Sequence, residues 1–396
     1  MNEFTTIKLS EFLEMNPTEK LPKGTSARKI SMDQIQPYQK FVYSNTFEEY
    51  SGGMKFRNGD TIMARITPCL ENGKTAYVSC LNEGEIAFGS TEYIVFRALK
   101  GISLPDFVYY LVTSSLVRDP AIKSMVGSSG RQRVQQSVLD ELKIPHFSLD
   151  EQQHIVDILG TFDAKIENNT KIIEHLIENL RLEFAIRFSN KKELEKVPLS
   201  YFVEETIGGD WGKEQAEKSN TERVVCIRGA DIPEIAVGKN GKPPIRYILP
   251  KNLQTKMLSD YEIIVEISGG SPTQSTGRCA LITKDLIQQY DSPLICTNFC
   301  RAIRCKSKVF GAYVYSAFSK MYLDNLFFNY ENGTTGIKNL DLQSIIEKEN
   351  VYLPTEDELQ NFHKFTNDIY SQVTRLKKEN NKLNELKQLY LKKFFS

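Results

Sequence analysis

The sequence has no run of 18 or more apolar residues, so no segment is suited to cross a membrane as a helix. Its start, Met1-Asn2-Glu3-Phe4-Thr5, lacks the basic-then-apolar layout of a secretory signal. The expected location is therefore cytoplasmic, where the seven cysteines stay reduced. The odd count and irregular spacing argue against a disulfide framework, and the lack of any CxxC pair argues against a metal site. Cys279, Cys296, Cys300 and Cys305 crowd one region, yet no histidine lies near them. Cysteines filling core strands are the better reading than a metal site. An excess of charge of one sign is also missing, with 50 basic and 50 acidic side chains. A solitary nucleic-acid-binding domain normally carries a basic excess, because phosphate contacts supply most of its affinity. Any such affinity here must come from local positive charge or from partners.

Catalytic signatures are equally scarce. Gly269-Gly270-Ser271-Pro272 opens a Gly/Ser-rich turn, but no Lys-Ser/Thr follows at the spacing that cradles phosphates. The Asn-Pro-Pro-Tyr/Phe tetrapeptide with which amino-methyltransferases hold a flipped base is absent; Asn16-Pro17-Thr18 and Pro243-Pro244 lack its chemistry. Glu141-Leu142-Lys143 could be the carboxylate–x–lysine part of a nuclease site, but such triplets arise by chance. His146, His154, His175 and His363 are scattered along helices or their approaches, where surface roles outweigh catalysis. The chain reads as a binding protein with no catalytic residues and no metal or cofactor of its own.

What is present is a repeat, at an offset of about 206 residues. Pro68-x4-Gly73-Lys74-x-Ala76 returns as Pro272-x4-Gly277-Arg278-x-Ala280. Phe107-Val108-Tyr109 returns as Tyr313-Val314-Tyr315, and Gly127-Ser-Ser-Gly130 as Gly333-Thr-Thr-Gly336. Asp150-Glu151-Gln152-Gln153 returns as Asp357-Glu358-Leu359-Gln360. Their common order is harder to dismiss than any single match. At 396 residues two or three domains are expected. The fold class predicted is α+β: two similar globular domains, residues 1–149 and 191–354, alternating with long helices at 150–190 and 355–396. Runs such as Thr61-Ile62-Met63-Ala64-Arg65-Ile66, Tyr93-Ile94-Val95-Phe96 and Glu262-Ile263-Ile264-Val265-Glu266-Ile267 read as strands.

In the first long helix, apolar residues fall at Ile155, Leu159, Phe162, Ile166, Ile173, Leu176 and Leu180, a heptad seam with Asn169 in the skipped position. The second runs Phe362, Thr366, Ile369, Val373, Leu376, Asn380, Leu383 and Leu386. A helix of about 38 residues would span about 57 Å, too long for either small domain to cover. Residues 150–190 carry eight acidic and four basic side chains; residues 371–396 carry seven basic and two acidic. Opposite charge favours pairing the helices with each other. An antiparallel coiled coil then predicts pseudo-twofold symmetry within one chain.

The globular domains carry polar turns whose side chains can read base edges or grip phosphates. In the first these are Lys74 and Thr75; Ser90, Thr91 and Tyr93; and Arg131, Gln132 and Arg133. In the second they are Gln274, Ser275, Thr276 and Arg278; Asn298 and Arg301; and Thr334, Thr335, Lys338 and Asn339.

The doubled order of domain, proline, Glu-x-Gln and long helix resembles the specificity subunits of type I restriction–modification systems. The strings that carry the likeness are Ile144-Pro145 through Glu151-Gln152-Gln153-His154-Ile155 and Leu353-Pro354 through Glu358-Leu359-Gln360, with the Gly73-Lys74 and Gly277-Arg278 turns. They span essentially the whole chain. The resemblance implies a non-catalytic subunit whose two target-recognition domains each read half of a split site in double-stranded DNA. It implies helices that set the gap and dock two methyltransferase subunits, with motor/nuclease subunits further out. S-adenosylmethionine, ATP and Mg2+ would then belong to partners. Leu359 departs from the pattern, standing where the first copy has Gln152. The competing reading is a scaffold that joins two partner proteins through its long helices without touching DNA.

Overall fold

The computed structural model describes residues 5–128, 130–189, 195–271, 273–333 and 338–396. The chain divides into two compact units: one holds the residues up to Asn168 together with Asn380–Ser396, the other holds Asn169–Glu379. Two helices, Leu149–Phe184 and Glu356–Phe394, each contribute one stretch to either unit. Among the described residues no helix is long and apolar enough to cross a membrane.

The first unit centres on a four-stranded antiparallel sheet in the order Leu13–Met15, Tyr93–Ala98, Thr61–Ala64, Thr75–Tyr77. Successive side chains of a strand point to opposite faces. Ile94, Phe96 and Met63 therefore enter one core, while Tyr93, Val95 and Ile62 enter another. Both faces are covered, which is why these strands read as unbroken hydrophobic runs. A smaller sheet places Ser26–Ile30 parallel to Ala87–Gly89. The helix Pro105–Thr113 buries Phe107 through Val112 without a break. A helix apolar all round belongs inside a domain, and this one shares a core with the sheet on one side and Ile155 and Leu159 on the other.

The second unit repeats this plan. Its four-stranded sheet runs Val203–Gly208, Cys300–Cys305, Ile263–Glu266, Cys279–Leu281. Glu222–Ile227 lies parallel to Leu294–Cys296 in a smaller sheet. The short antiparallel ribbon of Thr6–Lys8 with Lys143–Pro145 in the first unit corresponds to Lys196–Pro198 with Asn350–Tyr352 in the second. Cys279 faces one core of the second unit, and Cys296 and Cys300 face the other. Burial raises the thiols of Cys279 and Cys300 to about 12, so both stay protonated.

The duplication extends to buried charge. Asp60 accepts two hydrogen bonds of 2.7 Å from Arg97 across neighbouring strands. At the same register of the second unit Glu262 accepts one of 2.7 Å from Arg304. The ribbons also expose a repeat at a different offset: Leu9-Ser10-x-Phe12 answers Leu199-Ser200-x-Phe202, 190 residues on, with both Leu and Phe pairs fully buried. A search at one constant offset passes over it.

Within each unit the helical stretches pair antiparallel. In the first, Ile155 and Leu159 share a core with Leu391 and Phe395, and Phe162 meets Tyr390. Asp163 pairs with Lys387. In the second, Asn169 Nδ2 donates to Glu379 Oε2 at 2.9 Å, and Ile173 and Leu180 share a core with Phe362, Ile369, Val373 and Leu376. Phe184 lies against Phe362. The seam differs from the expected one in places. Ile177 is buried where Leu176 is only half-buried, and Ile166 and Leu383 are half-buried as well. Beyond Asn380 the buried positions are Lys387, Leu391 and Phe395, four residues apart, leaving Leu386 exposed.

The two helix starts show why the Glu-x-Gln pattern exists. Glu151 accepts from the backbone of Ser148 at 2.7 Å, while Glu358 accepts from that of Thr355 at 2.9 Å; both are capping boxes. Gln152 is fully buried, accepts from Leu104 N at 2.8 Å, and donates to Ile102 O and Phe147 O at 2.8 and 2.9 Å. Leu359 occupies the matching place as a plain core residue.

Candidate nucleic-acid interface

In the first unit three separated segments are stitched into one surface. Arg65 N donates to Glu92 O at 2.9 Å, Val134 N to Arg65 O at 2.9 Å, and Thr67 N to Gln132 O at 3.0 Å. Val126 and Arg133 exchange backbone hydrogen bonds of 2.9 and 3.0 Å. On this frame the Glu92 carboxylate accepts from Arg133 Nε at 3.0 Å and Nη2 at 2.6 Å. The Arg133 hydrogen bond holds the Glu92 carboxyl below its usual range. Ser90 Oγ accepts from Glu92 N at 3.0 Å, which fixes the turn. Thr91, Arg131 and Arg133 are exposed here, with Ser90 and Gln132 half-buried.

Three residues expected on this surface are engaged inside the protein instead. Lys74 Nζ donates to Met32 O at 2.7 Å. Thr75 and Tyr93 are buried, and Tyr93 takes its place in a core. Gly73, before Lys74, has φ +74°, and a Cβ there would lie 2.5 Å from the Tyr38 ring. The turn therefore requires glycine.

The second unit uses the same frame with different side chains. Ile267 N donates to Phe299 O at 2.9 Å, and Leu340 N to Ile267 O at 2.9 Å, matching the bonds at Arg65 and Val134. Thr297, Asn298 and Phe299 thus stand where the first unit has Ser90, Thr91 and Glu92. Asn298, Phe299, Arg301 and Asn339 are exposed. Arg278 pairs with Glu266 through contacts of 2.8 and 2.5 Å, and Lys338 with Glu331 at 2.6 Å. Gln274 donates to Tyr322 Oη at 3.2 Å. Ser275 and Thr276 are buried, and Thr276 N donates to Glu331 at 2.6 Å. Thr334 and Thr335 lie outside the described residues. A cleft of about 480 Å³ opens beside Asn298, lined also by Trp211, Arg228, Glu266 and Phe299.

Sequence reasoning does not single out Arg65, Glu92, Trp211, Glu266 or Phe299: Glu266 ends a strand, Arg65 follows one, Trp211 and Phe299 are aromatic, and Glu92 is acidic in a turn searched for donors to DNA. Trp211 did carry a signal: it is the chain's single tryptophan, set between Gly209-Asp210 and Gly212. Taken together, the exposed groups supply donors, acceptors and positive charge suited to base edges and phosphates.

Residues 1–178 match the family described as type I restriction modification DNA specificity domain. The Type I restriction enzyme EcoAI specificity subunit of Escherichia coli is 32% identical over 161 residues, covering 39% of this chain and 26% of that protein. The MjaIX specificity subunit of Methanocaldococcus jannaschii is 27% identical over 186 residues, 42% of either chain. The matched stretch thus spans about a quarter of the first relative and two-fifths of the second. In fold, the chain is similar to the crystal structure of a type I restriction–modification S subunit from M. genitalium, with a TM-score of 0.50 over 100% of this chain and 97% of that one, at 17% identity. By sequence, then, residues 1–178 are similar to the type I restriction modification DNA specificity domain, and by fold the full chain is similar to a type I restriction–modification S subunit.

Proposed function

We propose that this chain reads a two-part site in double-stranded DNA, one half with each unit, and contributes no catalytic group. The observation that carries the reading is a duplicated scaffold presenting different side chains at matching positions. Ser90, Thr91 and Glu92 of the first unit correspond in position to Thr297, Asn298 and Phe299 of the second, and Arg133 corresponds to Asn339. Evolution of a reader for two unlike half-sites would leave this pattern: a common frame and divergent tips. In the first unit Ser90, Thr91, Arg131, Gln132 and Arg133 meet DNA. In the second Asn298, Arg301 and Asn339 do so, joined by Gln274 and Lys338 where DNA displaces their internal partners, while Arg278 stays on Glu266 and holds it in place.

The long helices set the gap between half-sites and dock two methyltransferase subunits. The partners bind S-adenosylmethionine, and motor/nuclease subunits bring ATP and Mg2+. They also add phosphate contacts to those of a chain whose net charge is zero. The complex works in the cytoplasm, where the DNA is.

The test is a genome-wide map of methylated adenine in cells with and without this chain, its methyltransferase partner being present. A split motif that appears only with the chain is expected. An unchanged map, with the partner active and bound, would leave a scaffold role in its place.

A further inference from the structure

The cleft of the second unit has features that reading base edges from a groove does not require. Its lining combines two aromatic side chains, Trp211 and Phe299, 39% and 54% exposed, with a buried carboxylate, Glu266. Arg246 lies 3.7 Å from the centre of the Trp211 ring and is itself held by Glu214 at 3.1 Å. One face of the indole is thereby occupied and the ring is fixed in orientation. Gly229 and Gly269 form part of the wall. A Cβ on either would stand 2.7 or 2.9 Å from Glu266 Oε1, so both positions keep the backbone close to the carboxylate. Glu266 is fixed by Arg278 and lines the cleft, where a carboxylate offers acceptor sites beyond those two bonds.

The first unit has no counterpart of this arrangement among its described residues. Glu92 stands in place of Phe299 and is covered by Arg133. Asn339, in the position of Arg133, has no charge to bring to a partner there.

We propose that this cleft takes one nucleobase lifted out of the duplex, laid against Trp211 and Phe299, with its exocyclic amine donating to Glu266. This rests on the DNA-reading role proposed above. Aromatic faces hold an unstacked base of any kind, whereas a carboxylate selects one with an exocyclic amine, as in cytosine or adenine. Asn298, on the rim and exposed, lies next in sequence to Phe299 and is placed to contact the neighbouring nucleotide. A cleft of about 480 Å³ falls within the roughly 300–1,000 Å³ of clefts that enclose small planar ligands.

Because the chain has one tryptophan, labelling it with 5-fluorotryptophan gives a single fluorine signal at the site. The labelled chain, assembled with its unlabelled methyltransferase partner, is titrated with a duplex carrying the motif mapped in cells. Binding is followed in parallel by fluorescence anisotropy of the DNA. The expected result is a shifted fluorine resonance on binding. The shift is lost when one nucleotide of one half-site is made abasic, although the duplex still binds. Phe299→Ala should weaken binding about tenfold and move the resonance back toward its free position. Binding without a shift, or a shift that no abasic position removes, overturns the base-capture proposal and leaves DNA reading intact. No binding by the assembled complex overturns the DNA-reading role itself.

Discussion

Lys387 Nζ stands 2.7 Å from Asp163 Oδ1, with both side chains almost wholly removed from water. The other carboxylate oxygen accepts from Tyr110 Oη at 2.7 Å, and that hydroxyl accepts in turn from Lys40 Nζ at 3.2 Å. Lys40 also reaches Asp106 at 2.6 Å. Two cations, two carboxylates and a phenol thus form one chain of hydrogen bonds inside the first unit. Burial beside Asp163 pushes the Tyr110 phenol far above its ordinary range, so it remains a donor. Replacing Lys387 by methionine strands the Asp163 charge, which costs about 3–5 kcal/mol. The midpoint of urea unfolding of the first unit should fall accordingly. Adding Asp163→Asn should recover much of the loss; an unchanged midpoint for K387M would show that the pair contributes nothing.

Gln152 and Leu359 solve one packing problem in two ways, and exchanging them should fail in both directions. Gln152→Leu leaves Leu104 N, Ile102 O and Phe147 O without their partner, at a cost of about 3 kcal/mol. Hydrogen exchange at the Leu104 amide should speed up strongly. Leu359→Gln buries an amide in an apolar core and is likewise destabilising. Exchange at wild-type rates in Q152L would mean that the glutamine does not hold the Leu104 amide.

Burial lowers the Lys377 ammonium from its ordinary range to about 8. The folded state then binds the proton less tightly than the unfolded state, so the unfolded chain holds more protons between pH 8 and 10.5. Stability contributed by this site therefore rises with pH across that window. Lys377→Met should raise stability below pH 8 and flatten the difference above it. Equal pH profiles for the two proteins in urea unfolding would refute the shift.

Arg133 tests the reading surface. Arg133→Ala should weaken binding of the assembled complex to its DNA about tenfold, within the range of one bidentate base or phosphate contact. The salt dependence should drop by about one unit if the contact is to phosphate. Any change of sequence preference should be confined to the half-site assigned to the first unit. A change in both halves would contradict independent readers.

Much of this organisation was legible in the amino-acid order. The spacing from Pro68 to Ala76 and from Pro272 to Ala280 marks the same strand-and-turn element in both units. Residues 150–165 and 359–376 follow their heptads closely. Legibility failed where local pattern meets tertiary context. Thr75, Tyr93, Ser275 and Thr276 look like surface groups by type, but their positions on strands or inward turns bury them. Tyr93 shows the mechanism: one step along the strand from Ile94, it simply enters the opposite core. Lys387 belongs to the basic excess that predicts pairing with the acidic first helix, but nothing in the second helix announces that Asp163 is the carboxylate that receives it. Phe299 is an ordinary hydrophobic residue in sequence, and only the neighbouring Trp211 and Glu266 give it a site.

The membership of the first unit also bears on how the protein is made. Leu391 and Phe395 sit in its core, with Phe395 against both Phe107 and Phe147 at 5.7 Å. That core cannot close when residue 168 leaves the ribosome; it waits while more than two hundred further residues are translated. At about 5–20 residues per second the delay is on the order of ten to forty seconds. During it, the apolar faces around Ile155 and Leu159 stay uncovered, and chaperones or a nascent partner subunit have their opportunity to bind. The second unit, drawn from one uninterrupted stretch of chain, can finish before the first.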